Sequence, residues 1–283
     1  MRKMMLEDEF GDVIKKARQG RELSFADIAE QIALTTSQLA EIESYRLIPD
    51  EEVIHALASV LELRSGPLLD LAHGEWQPAP HPPATGNWRV CSMALRDTAG
   101  FISNTHLLWH SEQREAVVID PGFQPAEILH AIAANDLIVR YVVITHGHRD
   151  HVAAAPVIAR TYQVPVLLGA EDLVLLPAGI PQEPFHSAPG GLQLAIADSA
   201  LQVIATPGHT VGGRCYLFPG GCFVGDTLFA GSIGRSGAGS ANYLCQLVTV
   251  REKILRLPPE TLLFPGHGPN TTVVEECAHN PFA

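Results

Sequence analysis

The chain of 283 residues contains no apolar run approaching the roughly 20 residues that a membrane-spanning helix needs, so no membrane partner is expected. The opening MRKMMLEDEF carries three acids and no continuous apolar stretch, so a secretory leader is not expected there and a cytoplasmic location is. Its five cysteines (Cys91, Cys215, Cys222, Cys245 and Cys277) are scattered, odd in number and without a CxxC pair. That argues against a disulfide framework and a thiolate metal site, and fits a reducing compartment. Positive charge is also scarce: 19 basic against 31 acidic residues give −12, the wrong sign for a general polyanion binder. No GxSxG elbow is present to supply a serine nucleophile. Apolar residues, at 46%, are plentiful enough for a substantial core.

Residues 75–87, EWQPAPHPPATGN, hold Pro78, Pro80, Pro82 and Pro83 and cannot run as helix or central strand. They read as a semi-rigid linker (74–87) between a helical half, 1–73, and a half, 88–283, in which strands and helices alternate. In the first half, Phe10, Val13, Ile14 and Ala17 fall at helical spacing. Ser24 is a candidate N-cap with Asp27 three residues on. A break at Leu34–Thr35 precedes TSQLAEIES, and Pro49 stops the chain before DEEVIHALASVLEL. Two short helices joined by a tight turn is the helix-turn-helix layout. The stretch LSFADIAEQIALTTSQLAEIE resembles the Cro/repressor-type (Xre) family over residues 10–63.

That resemblance implies a DNA partner, which the charge disfavours. The presumed recognition helix presents Thr35, Thr36, Ser37, Gln38 and Glu41, with no Arg or Lys between Arg21 and Arg46. Gln38 and the hydroxyls can read bases, but counterion release gives little affinity to a half that carries more acids than bases. A folded module over residues 1–73 that pairs two chains into a homodimer and leaves the chemistry of the other half's active site independent is the preferred expectation.

The informative stretch is YVVITHGHRDH, 141–151. A β-branched run, Tyr141–Ile144, reads as a buried strand, and His146, His148, Asp150 and His151 follow at its carboxyl end. Imidazole nitrogens and carboxylate oxygens are the donors that zinc and similar cations take. A single histidine at a strand end is usually structural, whereas four ligand-type side chains in six residues are not explained by solvation. Three later segments repeat one arrangement of strand, tight turn and ligand-type side chain. They are Leu201–Ala205 then His209 in TPGHT, Cys222–Val224 then Asp226 in GDTLF, and Thr261–Leu263 then His267 in FPGHGP. Each alone is an ordinary turn residue; the ordered set points to metal.

The order HxHxDH, His, Asp, His resembles the metallo-β-lactamase superfamily across about residues 88–283. The resemblance implies an αββα sandwich and two divalent ions, zinc first, with iron or manganese as alternatives. It assigns His146, His148 and His209 to one ion and Asp150, His151 and His267 to the other, with Asp226 between them. The motifs AVVIDPG, THGHRDH, TPGHTVGG, GDTLFAGSIGR, PGHGPNTT and HNPF are similar to the compact glyoxalase II (hydroxyacylglutathione hydrolase) branch. This implies hydrolysis of a small-molecule thioester or related ester by a hydroxide bridging the ions, with Asp150 orienting it. After Arg235, SGAGSAN departs from the acidic, glycine-containing loop of that branch and leaves the acyl substrate open.

A lactonase, a persulfide dioxygenase, and a transcription regulator with a metal-domain sensor are the competing expectations. Asp120, after AVVI, is a candidate to hold a ligand histidine by hydrogen bonding or to cap the turn at Pro121-Gly122. Arg149 and Arg235 are candidates to meet an anionic substrate. His106 is expected to be structural and His279 to close the C-terminus by hydrogen bonding. His55, His73, His81, His110 and His130 are expected at the surface or in packing, and His186 has no assigned place.

Overall fold

A computed structural model describes residues 6–82, 84–237 and 239–283. Five helices come first: α1 (Phe10–Gly20), α2 (Phe25–Ala29), α3 (Thr36–Ile42), α4 (Glu51–Leu61) and α5 (Ser65–His73). They begin where local chemistry places them. Ser24 and Asp27 close a reciprocal cap on α2, Thr35 and Gln38 do the same on α3, and the Asp50 side chain accepts from the Val53 amide to start α4. The apolar face of α1 at Phe10, Val13, Ile14 and Ala17 is buried.

The remainder is a four-layer αββα sandwich. One mixed sheet takes β1 (Ala84–Thr85), β2 (Trp88–Arg96), β3 (Ile102–His110), β4 (Glu115–Ile119), β5 (Ile138–Val143), β6 (Val166–Leu168) and β7 (Phe185–Ser187) in sequence order. The helices α6 (Pro125–Ala134), α7 (Arg149–Val152) and α8 (Ala155–Tyr162) fall between its later strands. The second sheet orders its strands β13-β12-β11-β10-β9-β8. These are β8 (Gln193–Ile196), β9 (Ser199–Ala205), β10 (Arg214–Phe218), β11 (Gly221–Gly225), β12 (Leu262–Pro265) and β13 (Thr271–Thr272). The helix α9 (Ser240–Thr249), continued by a π-helical turn at Val250–Ile254, and α10 (Val273–His279) complete the chain.

Each sheet buries both faces. Trp88, Leu108, Val117, Val143, Val203, Tyr216, Phe223 and Phe264 fill the space between the sheets. Val118, Val142, Ile128, Ile132 and Ile158 join the first sheet to α6 and α8. The outer face of the second sheet, with Cys215, Cys222, Val224 and Leu263, packs with Tyr243, Leu247 and Val250. That third cluster does not stop at the sandwich: Ile14, Ile28, Leu39, Ile54, Leu57 and Leu61 of the helical half belong to it as well.

The helical half and the sandwich therefore share one continuous core. The physical reason is the apolar outer surface that the second sheet and α9 present, which α1 covers. Polar contacts seal the junction. The Arg64 amide and guanidinium donate to the carbonyls of Pro281 and Cys277. Part of the proline-rich stretch also lies on α10: the Ala79 amide donates to Glu275, His81 pairs with the same carboxylate, and Trp76 stacks on His279. At the end of that stretch the backbone of β1 pairs with β2, so residues 84–85 already belong to the sheet.

Candidate metal centre

All seven ligand-type residues sit just beyond strand ends. After β5 the chain turns through His146 and His148 into α7, whose single turn carries Asp150 and His151. In the second sheet β9 and β11 are both antiparallel to β10, and β12 is parallel to β11. Their carboxyl ends thus share one edge, and His209, Asp226 and His267 follow them in turn. One strand end from one sheet and three from the other give the chain no local reason to bring these residues together; the stacking of the sheets does it.

Three overlapping groups have ligand atoms all within 4.8 Å of one another: His146, His148 and His209; His146, His151 and Asp226; and Asp150, His151 and His267. Asp226 is common to the surroundings of four imidazoles. Its Oδ2 lies 3.4 Å from His209 Nε2, 3.6 Å from His267 Nε2 and 3.9 Å from His146 Nε2, and its Oδ1 lies 3.5 Å from His151 Nε2. Asp150 Oδ2 is 3.2 Å from both His151 Nε2 and His267 Nε2. His148 Nδ1 and His209 Nε2 face each other at 3.0 Å. Donors around one tetrahedral zinc at about 2.0–2.1 Å stand about 3.3 Å apart, so these separations match a shared cation.

The protonation pattern fits that use. Outward-facing nitrogens are tied: His151 Nδ1 to Asp120 at 3.0 Å, His209 Nδ1 to the Arg235 carbonyl at 2.6 Å, and His267 Nδ1 to the Ile102 carbonyl at 2.8 Å. Donating there leaves each Nε2 a lone pair aimed inward. Inside, His146 Nε2, His151 Nε2 and Asp226 Oδ1 are buried with no hydrogen-bond partner. Three orphaned polar atoms converging on one point are costly unless a cation completes them.

Charge bears this out. Burial, with His151 and His209 nearby, pushes His146 well below the ordinary histidine range. Burial acts against the charged form of Asp150, yet the His151 and His267 rings beside it hold it well below the usual carboxylate range. Burial also opposes a charged His151, but the Asp226 and Asp120 carboxylates outweigh it and raise its pKa. Carboxylates held ionised among converging imidazoles form a cavity that attracts a positive ion.

Two carboxylates hold the loops. Asp120, a left-handed residue at φ 49°, accepts from the amide and hydroxyl of Thr145 at 2.7 and 2.6 Å and holds His151, so it orients a ligand and fixes the turn together. Asp172 is the residue that sequence reasoning missed. It is buried in a 3₁₀ turn after β6 and accepts from the Gly147 amide at 2.9 Å, the Thr210 hydroxyl at 2.7 Å and the Gly212 amide at 2.6 Å. The loops carrying His146/His148 and His209 are thus pinned to one carboxylate. Close approach also fixes Gly266: a Cβ there would lie 2.3 Å from Asp226 Oδ1 and 2.6 Å from His151 Cε1.

The remaining expectations resolve simply. His106 is buried, bonded to Ser92 and close to the Pro265 carbonyl, and burial lowers its pKa to about 4, so it is structural. His110 is buried in packing against Trp88, whereas His186 is exposed on β7. His279 meets Asp70, although it is Asn280 that bonds the Ser232 carbonyl and Glu276. Arg149 is exposed near Asp97, and Arg235 is exposed beside the centre.

Two sandwiched mixed sheets with His and Asp side chains at their shared edge define a metallo-hydrolase fold. The family model of the metallo-beta-lactamase superfamily matches residues 98–267, and this chain belongs to that superfamily. It is 31% identical to "Probable metallo-hydrolase YqgX" of Bacillus subtilis over 195 residues, 64% of this chain and 92% of that one. It is 28% identical to "Hydroxyacylglutathione hydrolase GloC" of Haemophilus influenzae, over 64% of this chain and 93% of that one. A solved structure, TTHA1623 in a di-iron-bound form, superposes with a TM-score of 0.53 at 30% identity, covering 72% of this chain and all of that one.

Proposed function

We propose that the protein is a dinuclear metal-dependent hydrolase of a thioester or related ester. The observation that carries this reading is the position of Asp226, whose two oxygens face four imidazoles drawn from the three other ligand loops. In it, His146, His148 and His209 would hold one ion and Asp150, His151 and His267 the other, with Asp226 shared between them. Bound divalent ions supply Lewis-acid polarisation and acidify water. The nitrogen and oxygen donor set suits zinc, iron or manganese. The likeness to a hydroxyacylglutathione hydrolase supports a thioester as the substrate class.

The chain's own groups fit the task. Asp150, kept ionised by His151 and His267, is placed to orient a water molecule at the centre by accepting a hydrogen bond from it. Asp120 and the Arg235 and Ile102 carbonyls keep three imidazoles turned inward throughout. Phe101, exposed, meets the His267 ring at 5.6 Å and gives an apolar margin for an acyl chain, while the buried Phe229 backs the same ring. In α3, the Oε1 of Gln38 is engaged by the Thr35 amide and hydroxyl as part of the helix cap.

The test is metal analysis joined to turnover. Protein purified without chelator should hold close to two divalent ions per chain, and Asp226→Ala should lose at least one. S-lactoylglutathione should be hydrolysed, and Asp150→Ala should slow it by orders of magnitude while the fold survives. Saturation at one ion, or no hydrolysis of any thioester alongside turnover of a lactone or persulfide, overturns this assignment.

A further inference from the structure

A cleft of about 390 Å³ opens beside His148 and His209, and one of its walls comes from the helical half: Lys16, Gln19 and Gly20 of α1 face Arg235, Ser236 and Gly237 across it. We propose that α1 is the specificity wall of the active site and that Gln19 selects substrates whose leaving group carries an anionic, hydrogen-bonding tail. This rests on the thioester-hydrolase reading for the reaction, but the wall itself stands on three further observations.

The first is that α1 is fixed in place. Gly20 packs so closely on the Tyr243 ring that a Cβ would lie 2.3 Å from it, and Arg21 stands over the same ring at 5.9 Å. The second is that α1 spans the mouth of the metal centre. The Lys16 ammonium lies 4.9 Å over Phe229, which borders His267, and Glu7, just before the helix, packs on Gly268. The third is chemical. The described residues lining the cleft offer two cations, an amide, a hydroxyl and glycine backbone, with no carboxylate among them. Lys16 is neutralised by Asp8 and tied to the Ile233 carbonyl, so its charge is largely spent on structure. Gln19 is exposed and free to turn toward a tail lying in the cleft. A carboxylate-bearing, peptide-like tail complements such a lining, and a bare alkyl tail does not.

Gln19 is well suited to a test because an exposed helical position tolerates exchange. Gln19→Glu places a negative charge in the wall, and Gln19→Lys a positive one. Two thioesters with the same acyl group are compared, one of glutathione and one of N-acetylcysteamine, whose tail is neutral. Gln19→Glu should raise KM for the glutathione thioester roughly tenfold, with kcat and the neutral thioester little changed, and Gln19→Lys should lower that KM. Equal effects on the two substrates, or none, would overturn the proposal.

A measurement independent of turnover separates it from the hydrolase reading. Binding of S-hexylglutathione, a thioether that cannot be hydrolysed, is followed by calorimetry with the metal-loaded full chain. Weakening by Gln19→Glu and strengthening by Gln19→Lys would uphold the wall even if no thioester were cleaved. No binding to the wild type, or equal affinity in all three proteins, would remove it even if thioesters were hydrolysed.

Discussion

Lys16 in the first helix donates to the main-chain oxygen of Ile233 at 2.8 Å, across 217 residues of sequence. Ile233 lies in the loop that follows Asp226, and the next amide, Gly234, donates to the Asp226 carbonyl at 3.1 Å. The helical half thus touches the backbone that carries the central carboxylate.

One consequence concerns cooperativity. Ile14 is fully buried in the cluster shared by both halves, so Ile14→Ala should cost about 2–5 kcal/mol. Helical ellipticity and metal release should lose their midpoints together in one transition during denaturation. Two separate transitions, with the metal-linked one unmoved, would show the halves to be independent.

Asp172 provides another test. Removing its carboxylate frees the Gly147 and Gly212 amides and the Thr210 hydroxyl, so two ligand loops lose their common anchor. Asp172→Ala should weaken metal binding roughly 10–100-fold, read by competition with a chelating dye. Affinity equal to wild type would reduce Asp172 to an ordinary buried cap.

Glu276 makes stability depend on pH. It is fully buried, and burial raises its pKa to about 7, although Asn280, Thr271 and the Gly231 amide donate to it. A raised carboxyl pKa favours folding below the unfolded value of 4.5, and that contribution is lost as pH rises through 7. The loss is on the order of 3 kcal/mol. With metal chelated throughout, Glu276→Gln should flatten the fall in stability between pH 4.5 and 7. Parallel curves for the two proteins would show that Glu276 does not titrate in this window.

Chelation should itself destabilise the protein, since it leaves His146 Nε2, His151 Nε2 and Asp226 Oδ1 buried without partners. A ligand at a thousand times its Kd stabilises by about 4 kcal/mol, so Tm should drop by several degrees and recover on adding metal. An unchanged Tm after verified removal would mean that the bound metal does not stabilise the fold and that these buried atoms find other partners.

The seven ligand-type residues were legible because each follows a short apolar strand and a turn, a local pattern that survives without any tertiary information. The caps at Ser24 and Thr35 and the apolar stripe of α1 were legible for the same reason: hydrogen bonds three residues apart and a helical repeat are properties of neighbours in sequence. Asp120 was half-legible, as a strand-end acid whose partner, His151, lay 31 residues away. Asp172 was not, since an acid in GAEDLVLL looks like any solvated helix start until the sheets bring Gly147 and Gly212 to it. Nor was the destination of α1. Its amphipathic pattern required that Ile14 be buried, but the chain alone does not say against what. The sequence by itself determined which side chains can hold metal, because coordination depends on donor type and local turns. Only the tertiary structure decided that the helical half closes the outer core of the sandwich and walls the cleft, because burial is satisfied by whichever apolar surface packs there, and packing carries no signature along the chain.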